Sequence, residues 1–386
     1  MKKCLSRRLS DKLFSTKWLV ILISAIILTV FGRLIDNKSL TQSGIVVGLG
    51  IDYKDEVYQV TVQTVSVSGS AGTDKATTSF LTYSANGQTL TEAINSLSEK
   101  LGLIVSLSHC NLVVMSRSAL SLNPIRTFSA LTKPLALPEQ ALIVATDYDI
   151  PKLFASKIPS TENISFFLQS VLLQNLEAGG LTSVSVKDYL AMRCSRSGSV
   201  ALPYLELAEM PDKPISATGG GEEKNYIVDI NKNLVVDENK NLLVDEKTAK
   251  AINLFLNDKV KNKLPVPTKN GVIEFRIVNH SRSIKVEGMK VIAKIKMDVS
   301  FVEAQGFDTP YILNCNSPEV LDAKKILEDI LEKSLLDGFA ISKSCGIDFL
   351  GLENILYQSI GRNLERHCLD RIAFEVDFDV DVTENS

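Results

Sequence analysis

Two periodicities alternate along this chain. From Val57 to Val67 the sequence VYQVTVQTVSV changes side at every residue, the period of a β-strand, and Ile45–Ile51 (IVVGLGI) before it reads as a second strand joined to the first around Asp52-Tyr53-Lys54-Asp55. Ser68 to Thr78 is a loop of small residues. Thr89 then caps a helix predicted over Leu90–Leu101, whose apolar Leu90, Ala93, Ile94, Leu97 and Leu101 recur at three-four spacing. Strands are predicted at 111–115 and 141–145 with a helix between them, and 163–177 forms a further amphipathic helix ended by Gly179-Gly180.

The last third carries the clearest alternation. In FEVDFDVDV, residues 374–382, Phe374, Val376, Phe378, Val380 and Val382 share one face, while Glu375, Asp377, Asp379 and Asp381 share the other. Residues 290–301 alternate as well, with Lys290, Lys294 and Lys296 on their polar side. Opposite charges on neighbouring strands stabilise pairing by roughly 0.2–1 kcal/mol each, so these two strands are expected to lie close in one sheet. A helix beginning at Ser317-Pro318, with a stripe through Val320, Ala323, Ile326, Leu327, Ile330, Leu331 and Leu335, should pack on their apolar face. Strands interspersed with helices give the fold class: α+β, a mixed α/β build.

One segment breaks both periods. Trp18 to Gly32 (WLVILISAIILTVFG) carries no charge, and Lys2, Lys3, Arg7, Arg8, Lys12 and Lys17 precede it against Asp11 alone. The positive-inside rule keeps residues 1–17 cytoplasmic and sends everything beyond Gly32 across the membrane. At about 1.5 Å per residue these 15 residues span about 22 Å of a hydrocarbon core of about 30 Å. Leu34 and Ile35 extend the span if Lys17 and Arg33 snorkel, so residues 18–35 read as a membrane anchor. A removable signal is the alternative, although Val30-Phe31-Gly32 is a poor small-x-small cleavage site.

Length and composition bound the rest. The chain has 386 residues, 45% hydrophobic and 23% charged, which is a folded globular composition long enough for two or three units. Pro203, Pro211, Pro214 and Gly219-Gly220-Gly221 mark a boundary near 205–221. The expected units are 36–208, a small middle unit 209–268, and 269–386. The middle one contains a tandem duplication, Asn231–Glu238 (NKNLVVDE) repeated as Asn239–Glu246 (NKNLLVDE), read as strand pieces separated by NKN turns and leading into a helix over about 247–259. Net charge is −3, made of +5 over residues 1–17 and −8 over residues 18–386, which argues against nucleic-acid binding. Cys110, Cys194, Cys315, Cys345 and Cys368, an odd number at wide spacings without CxxC, make no disulfide framework and read mostly as small buried hydrophobes; a Cys345–Cys368 pair stays open.

No catalytic, cofactor or metal site emerges. Gly48-Leu-Gly50 starts like a dinucleotide fingerprint, but Tyr53 stands at the third glycine and a charged turn replaces the helix. Asp229-Ile-Asn231-Lys-Asn233 and Asp237-Glu-Asn239-Lys-Asn241 start like calcium loops, but Leu stands where the loop's glycine belongs, so they read as asparagine turns. Ser108-His109-Cys110 lie in sequence on an extended segment, where neighbours point to opposite faces, and His109 reads as a packed or capping side chain. His280 falls in a predicted turn, and His367-Cys368 closes a basic, polar segment. GxSxG, HExxH and paired CxxC motifs do not occur.

The order of several motifs resembles the Ger(x)C family, the GerAC-like C subunits of spore germinant receptors. IVVGLGIDY at 45–53 and YQVTVQ at 58–63 are followed by TLTEAINSLSEKLG at 89–102, LSHCNLVVM at 107–115, GSVALPYL at 198–205, NLLVDEKTAKAINLFLN at 241–257 and GIDFLGLENILY at 346–357. The resemblance implies three units of β-sheets flanked by helices, no catalytic residues and no cofactor. It also implies a place on the outer face of the inner spore membrane beside A-type and B-type membrane subunits, and a role in assembly and nutrient response. Members are typically lipoproteins, but Arg33 occupies the position expected for the lipid-bearing cysteine. The transmembrane helix then becomes the sole anchor. The rival reading is an extracytoplasmic solute- or wall-binding protein unrelated to germination.

Overall fold

The computed structural model describes residues 22–25, 43–68, 77–156, 163–177, 182–209, 226–238, 240–257, 260–307, 314–361, 364–365 and 367–383. Arg33 and the proposed anchor lie outside these residues except for 22–25, and no helix among the described residues is long and apolar enough to cross a membrane. The glycine-rich boundary at 210–225 is also outside them.

Long alternating strands open the fold. β1 (Ser43–Lys54), β2 (Val57–Ser68) and β3 (Thr77–Gly87) form an antiparallel meander. The β1–β2 turn is tighter than the sequence suggests: Asp52 to Lys54 belong to the strand, and Asp55 and Glu56 alone reverse the chain with φ of 50° and 63°. Two left-handed residues match the twist of a two-residue hairpin, which strands this regular require. Helix α1 (Leu90–Leu101) is capped by Thr89, which accepts the Glu92 N–H, and ended by Gly102 at φ 62°. β4 (Ile104–Ser106) and β5 (Leu112–Ser116) then pair parallel with β1.

Short helices α2 (Arg117–Leu120) and α3 (Pro124–Leu135) lead to β6 (Leu142–Thr146), parallel to β5. α4 (Ile150–Ala155), α5 (Ile164–Glu177) and α6 (Val186–Arg193) precede β7 (Val200–Glu209). β8 (Tyr226–Val236) and β9 (Asn241–Val244) complete one nine-stranded sheet, in the order β3-β2-β1-β5-β6-β7-β8-β9 with β4 beside β1. One face packs on α1, α3 and α6 through Leu49, Ile51, Leu97, Phe128 and Tyr189. The opposite face packs on α4 and α5 through Leu112, Val114, Phe154 and Leu168.

Gly48 and Gly50 belong to that second interface. A Cβ on Gly48 would stand 2.0 Å from Ser165 Oγ, and one on Gly50 would stand 2.3 Å from Ile150 Cγ2. The glycine pair therefore lets two helices approach the backbone of β1, and its resemblance to a phosphate loop is accidental.

The second sheet is smaller, in the order β10 (Lys263–Pro267), β11 (Val272–Glu287), β12 (Lys290–Gln305) and β13 (Ala373–Thr383). β12 and β13 are adjacent and parallel, as their charge patterns require. Lys290 reaches Glu375 at 2.6 Å, Lys294 reaches Asp377 at 3.4 Å and Lys296 reaches Asp379 at 3.9 Å. α8 (Pro318–Cys345) covers the apolar face through Val320, Ala323, Leu327 and Leu335, while Ile330 at 36% exposure falls off the stripe. Ser317 starts this helix without capping a helical N–H, because its Oγ accepts the Asn314 N–H instead.

Residues 226–256 divide between the two sheets. β8 and β9 extend the first, whereas α7 (Glu246–Leu256) packs through Ile252 and Phe255 into the core of the second. Ala201, Val235 and Val244 from the first sheet enter that same core, so the sheets share apolar contacts along a seam.

Candidate functional site

The seam holds a connected polar cluster. α8 ends in a left-handed Gly346 at φ 69°, and a second left-handed glycine, Gly351 at φ 73°, starts α9 (Leu352–Ile360). Between them Asp348 is turned inward. Its carboxylate accepts the Leu352 N–H at 2.9 Å and the Glu353 N–H at 2.7 Å, satisfying donors that a helix start leaves open.

From the first sheet, the turn after α6 reaches across to this carboxylate. Ser197 Oγ donates to Asp348 Oδ2 at 2.5 Å and accepts the Asn354 N–H at 3.3 Å, while Ser199 Oγ donates to the Asp348 carbonyl at 2.6 Å. Arg196 donates to the Leu364 carbonyl and stacks 5.1 Å over the Tyr357 ring, and Lys240 Nζ donates to the Cys345 carbonyl. Two connections of the first sheet thus hold the α8–α9 link: Lys240, between β8 and β9, holds the end of α8, and the turn after α6 holds Asp348 and the start of α9.

Burial pushes the Asp348 carboxyl above the usual carboxylate range even against these hydrogen bonds. Glu353, whose Oε1 accepts the Leu369 N–H at 2.9 Å, is raised first by burial and then by the Asp348 charge. A raised folded-state pKa means that the folded protein holds protons which the unfolded chain releases. Stability from this pair is therefore fully present below the unfolded values and is lost as pH rises through the folded ones. Glu353→Gln keeps the acceptor and removes the second charge. It should raise the melting temperature at neutral pH, with the gap to the parent closing on acidification toward pH about 4; melting curves across that range check this.

A groove of about 890 Å³ opens beside the cluster. Its walls are the Ser195–Gly198 turn, the Asn123–Ile125 start of α3, Asn354 and Tyr357 of α9, and His367 beyond it. Arg193, with a side chain only 2% exposed, donates to the Gly198 carbonyl and lies 3.9 Å from Asp237. The groove offers hydrogen bonds and charges of both signs.

A shallower cup of about 380 Å³ lies at the C-terminal ends of β1, β5 and β6. There Lys54 Nζ pairs with Asp52 at 2.7 Å, and Arg117 grips Asp147 through two nitrogens at 3.1 and 2.6 Å. Tyr204 also donates to Asp147, at 2.9 Å. Burial opposes ionisation of Asp52, but hydrogen bonds from Lys54, Ser116 and the Tyr53 N–H outweigh it and hold its carboxyl below the ordinary value. These charges are paired with one another, so the cup is braced for structure.

Residues 36–207 match the family described as spore germination protein N-terminal domain. This stretch of the chain is similar to that domain. That match bears out the resemblance to the Ger(x)C family read from the motif order. The crystal structure of the GerBC protein is similar at 11% identity and a TM-score of 0.48, covering 87% of this chain and 96% of that one. No curated protein matches the chain.

The matched stretch contains β1–β6, most of β7 and one side of the seam, including Ser197 and Ser199. Within it, Ser108 and His109 form an exposed turn, not a strand, while Cys110 is buried behind them. His109 is therefore exposed and not packed. Burial pushes the Cys110 thiol up to about 12, leaving it unreactive.

Beyond the germination domain, His280 sits inside β11 and not in a turn; its Nε2 lies 2.7 Å from the Asn257 carbonyl. Asn231 to Asn233 run straight through β8, with Asn233 fully buried, whereas in the second copy Lys240 lies between the strands and Asn241 opens β9. No three His, Cys, Asp or Glu side chains gather as a metal set among the described residues. None of the five described cysteines forms a disulfide, and only Cys110 and Cys368 are buried, fewer than their composition suggested.

Sequence reasoning passed over the Asp348 cluster. GIDFLG was legible as a helix stop and restart, an aspartate framed by two glycines, but its partners Ser197 and Ser199 lie about 150 positions earlier.

Proposed function

We propose that the chain is a non-enzymatic, membrane-anchored subunit of a spore germinant receptor, acting outside the membrane in receptor assembly and in the response to nutrient germinants. The match of residues 36–207 to the spore germination domain carries this reading. Asp52, Lys54, Arg117 and Asp147 are engaged with one another, and Asp348 with Ser197 and the start of α9, which supports a scaffold over a reaction centre. The A-type and B-type receptor subunits are the proposed partners. Residues 18–35 are the proposed anchor, since Arg33 offers no thiol for lipid attachment.

Purification of the chain from spore membranes tests both parts. The A-type and B-type subunits should be recovered with it, and N-terminal sequencing should find the residues before Gly32 retained. A mature N-terminus at or beyond Arg33 would refute the anchor. The polar groove of about 890 Å³ favours the solute-binding alternative, which gains ground if neighbouring reading frames encode no A-type or B-type subunits.

A further inference from the structure

The groove beside Asp348 differs from the cup in how its charges are placed. In the cup Arg117 holds Asp147 and Lys54 holds Asp52. On the groove wall Arg196 is fixed by the Leu364 carbonyl and the face of Tyr357, yet it forms no ion pair among the described residues. Arg193 comes no nearer to Asp237 than 3.9 Å, and its side chain is only 2% exposed. The Nε–H of each arginine is buried without an acceptor. Buried donors are nearly always satisfied, so two on one wall mark a place where an acceptor belongs.

The opposite charge lies next to it. A pocket of about 100 Å³ adjoins the groove, and the two share Ser197, Asp237 and His367. Asp237, Asp348, Glu353 and Asp370 line this pocket, and its lining residues include no lysine or arginine. Asp348 and Glu353 are buried, and neither forms an ion pair among the described residues. Asp348 is engaged with Ser197 and the start of α9, whereas the one side-chain bond of Glu353 is to the Leu369 N–H. Positive and negative side chains thus face two connected spaces, each short of a counter-charge.

We infer that the groove and its acidic pocket bind a small free amino acid, with the carboxylate at Arg193 and Arg196 and the ammonium at Asp237, Glu353 and Asp370. A carboxylate supplies both the charge and the acceptor lone pairs that the two guanidinium groups lack. An inorganic anion would meet the arginines but leave the buried acids without a cation. A bare metal ion fits no better, because the acids do not gather as a metal set among the described residues. The groove, at about 890 Å³, has the size of small-molecule sites, about 300–1,000 Å³. Its arginines come from α6 and the turn after it, and Glu353 comes from α9, so a bound ligand bridges the seam. The inference goes beyond the function proposed above and holds for a receptor subunit and for a solute-binding protein alike.

The test titrates the full chain, purified from membranes in detergent, by calorimetry. The probes are the protein amino acids, 3-aminopropanoate and 4-aminobutanoate, each taken to about 10 mM. At least one should bind, and propanoate and propylamine, which carry one charge each, should bind more weakly by about tenfold or more. Arg196→Gln and Glu353→Gln should each weaken binding by a similar factor. Ile125→Trp adds bulk to the groove wall from a position 59% exposed and should weaken binding without disturbing the fold. Lys294→Gln, on the exposed face of the second sheet, should leave it unchanged. Binding of none of these probes overturns the proposal. So does a one-charge analogue that binds as tightly as the best amino acid, or parental affinity in Ile125→Trp and both charge variants. Binding by a chain that recovers no A-type or B-type subunit supports the site while the receptor reading fails; recovery of both subunits without binding removes the site alone.

Discussion

Asp348→Ala is expected to lower the folding stability by about 3 kcal/mol, because a buried donor left unsatisfied costs roughly 1–3 kcal/mol and this carboxylate serves three. The Ser197 hydroxyl and the N–H groups of Leu352 and Glu353 all lose their acceptor. Relief of the Asp348–Glu353 repulsion offsets part of the loss. Asp348→Asn keeps one acceptor oxygen and should lose less. Denaturant titrations of both variants check the ordering, and an alanine variant unfolding at the parental midpoint would show that the seam does not depend on this side chain. The functional consequence is that the germination domain and the second sheet should separate most readily at this turn, beside the groove.

Gly48→Ala should cost about as much, near the upper end of the 1–3 kcal/mol typical of overpacking. The new Cβ would lie 2.0 Å from Ser165 Oγ and 2.8 Å from Ser165 Cβ, and the serine cannot simply rotate aside. Its hydroxyl donates to Gln63 Oε1 at 2.6 Å, and its N–H donates to the same oxygen at 3.2 Å. Pairing Gly48→Ala with Ser165→Gly should recover a large part of the loss. A double-mutant cycle measured by denaturation would report coupling of about 0.5–3 kcal/mol for residues in contact. Additive effects would mean that α5 moves away from β1 at little cost.

The elements that sequence alone rendered well are those whose signal is local. Thr89 at the start of α1, the alternation along β2, and the lysine and carboxylate stripes of β12 and β13 each follow from side chains a few positions apart. The misplaced features failed where one local pattern supports two outcomes. NKN is turn-prone at both copies of the duplication, yet Asn233 is carried into β8 because it lies opposite Val244 in the ladder to β9. His280 looked like a turn residue because Asn279 and Ser281 flank it, but the β11–β12 ladder continues past a shift between Ile277 and Asn279.

By itself, then, the sequence determined the periods, the caps, the α+β class and the motif order that points to spore germination, since these depend on neighbours along the chain. The tertiary structure decided that residues 226–256 divide between two sheets and that Gly48 and Gly50 serve helix packing. It alone brought Ser197 to Asp348 across 151 positions. Such pairings follow from burial shared between distant segments, and no local pattern encodes which of several apolar faces will meet.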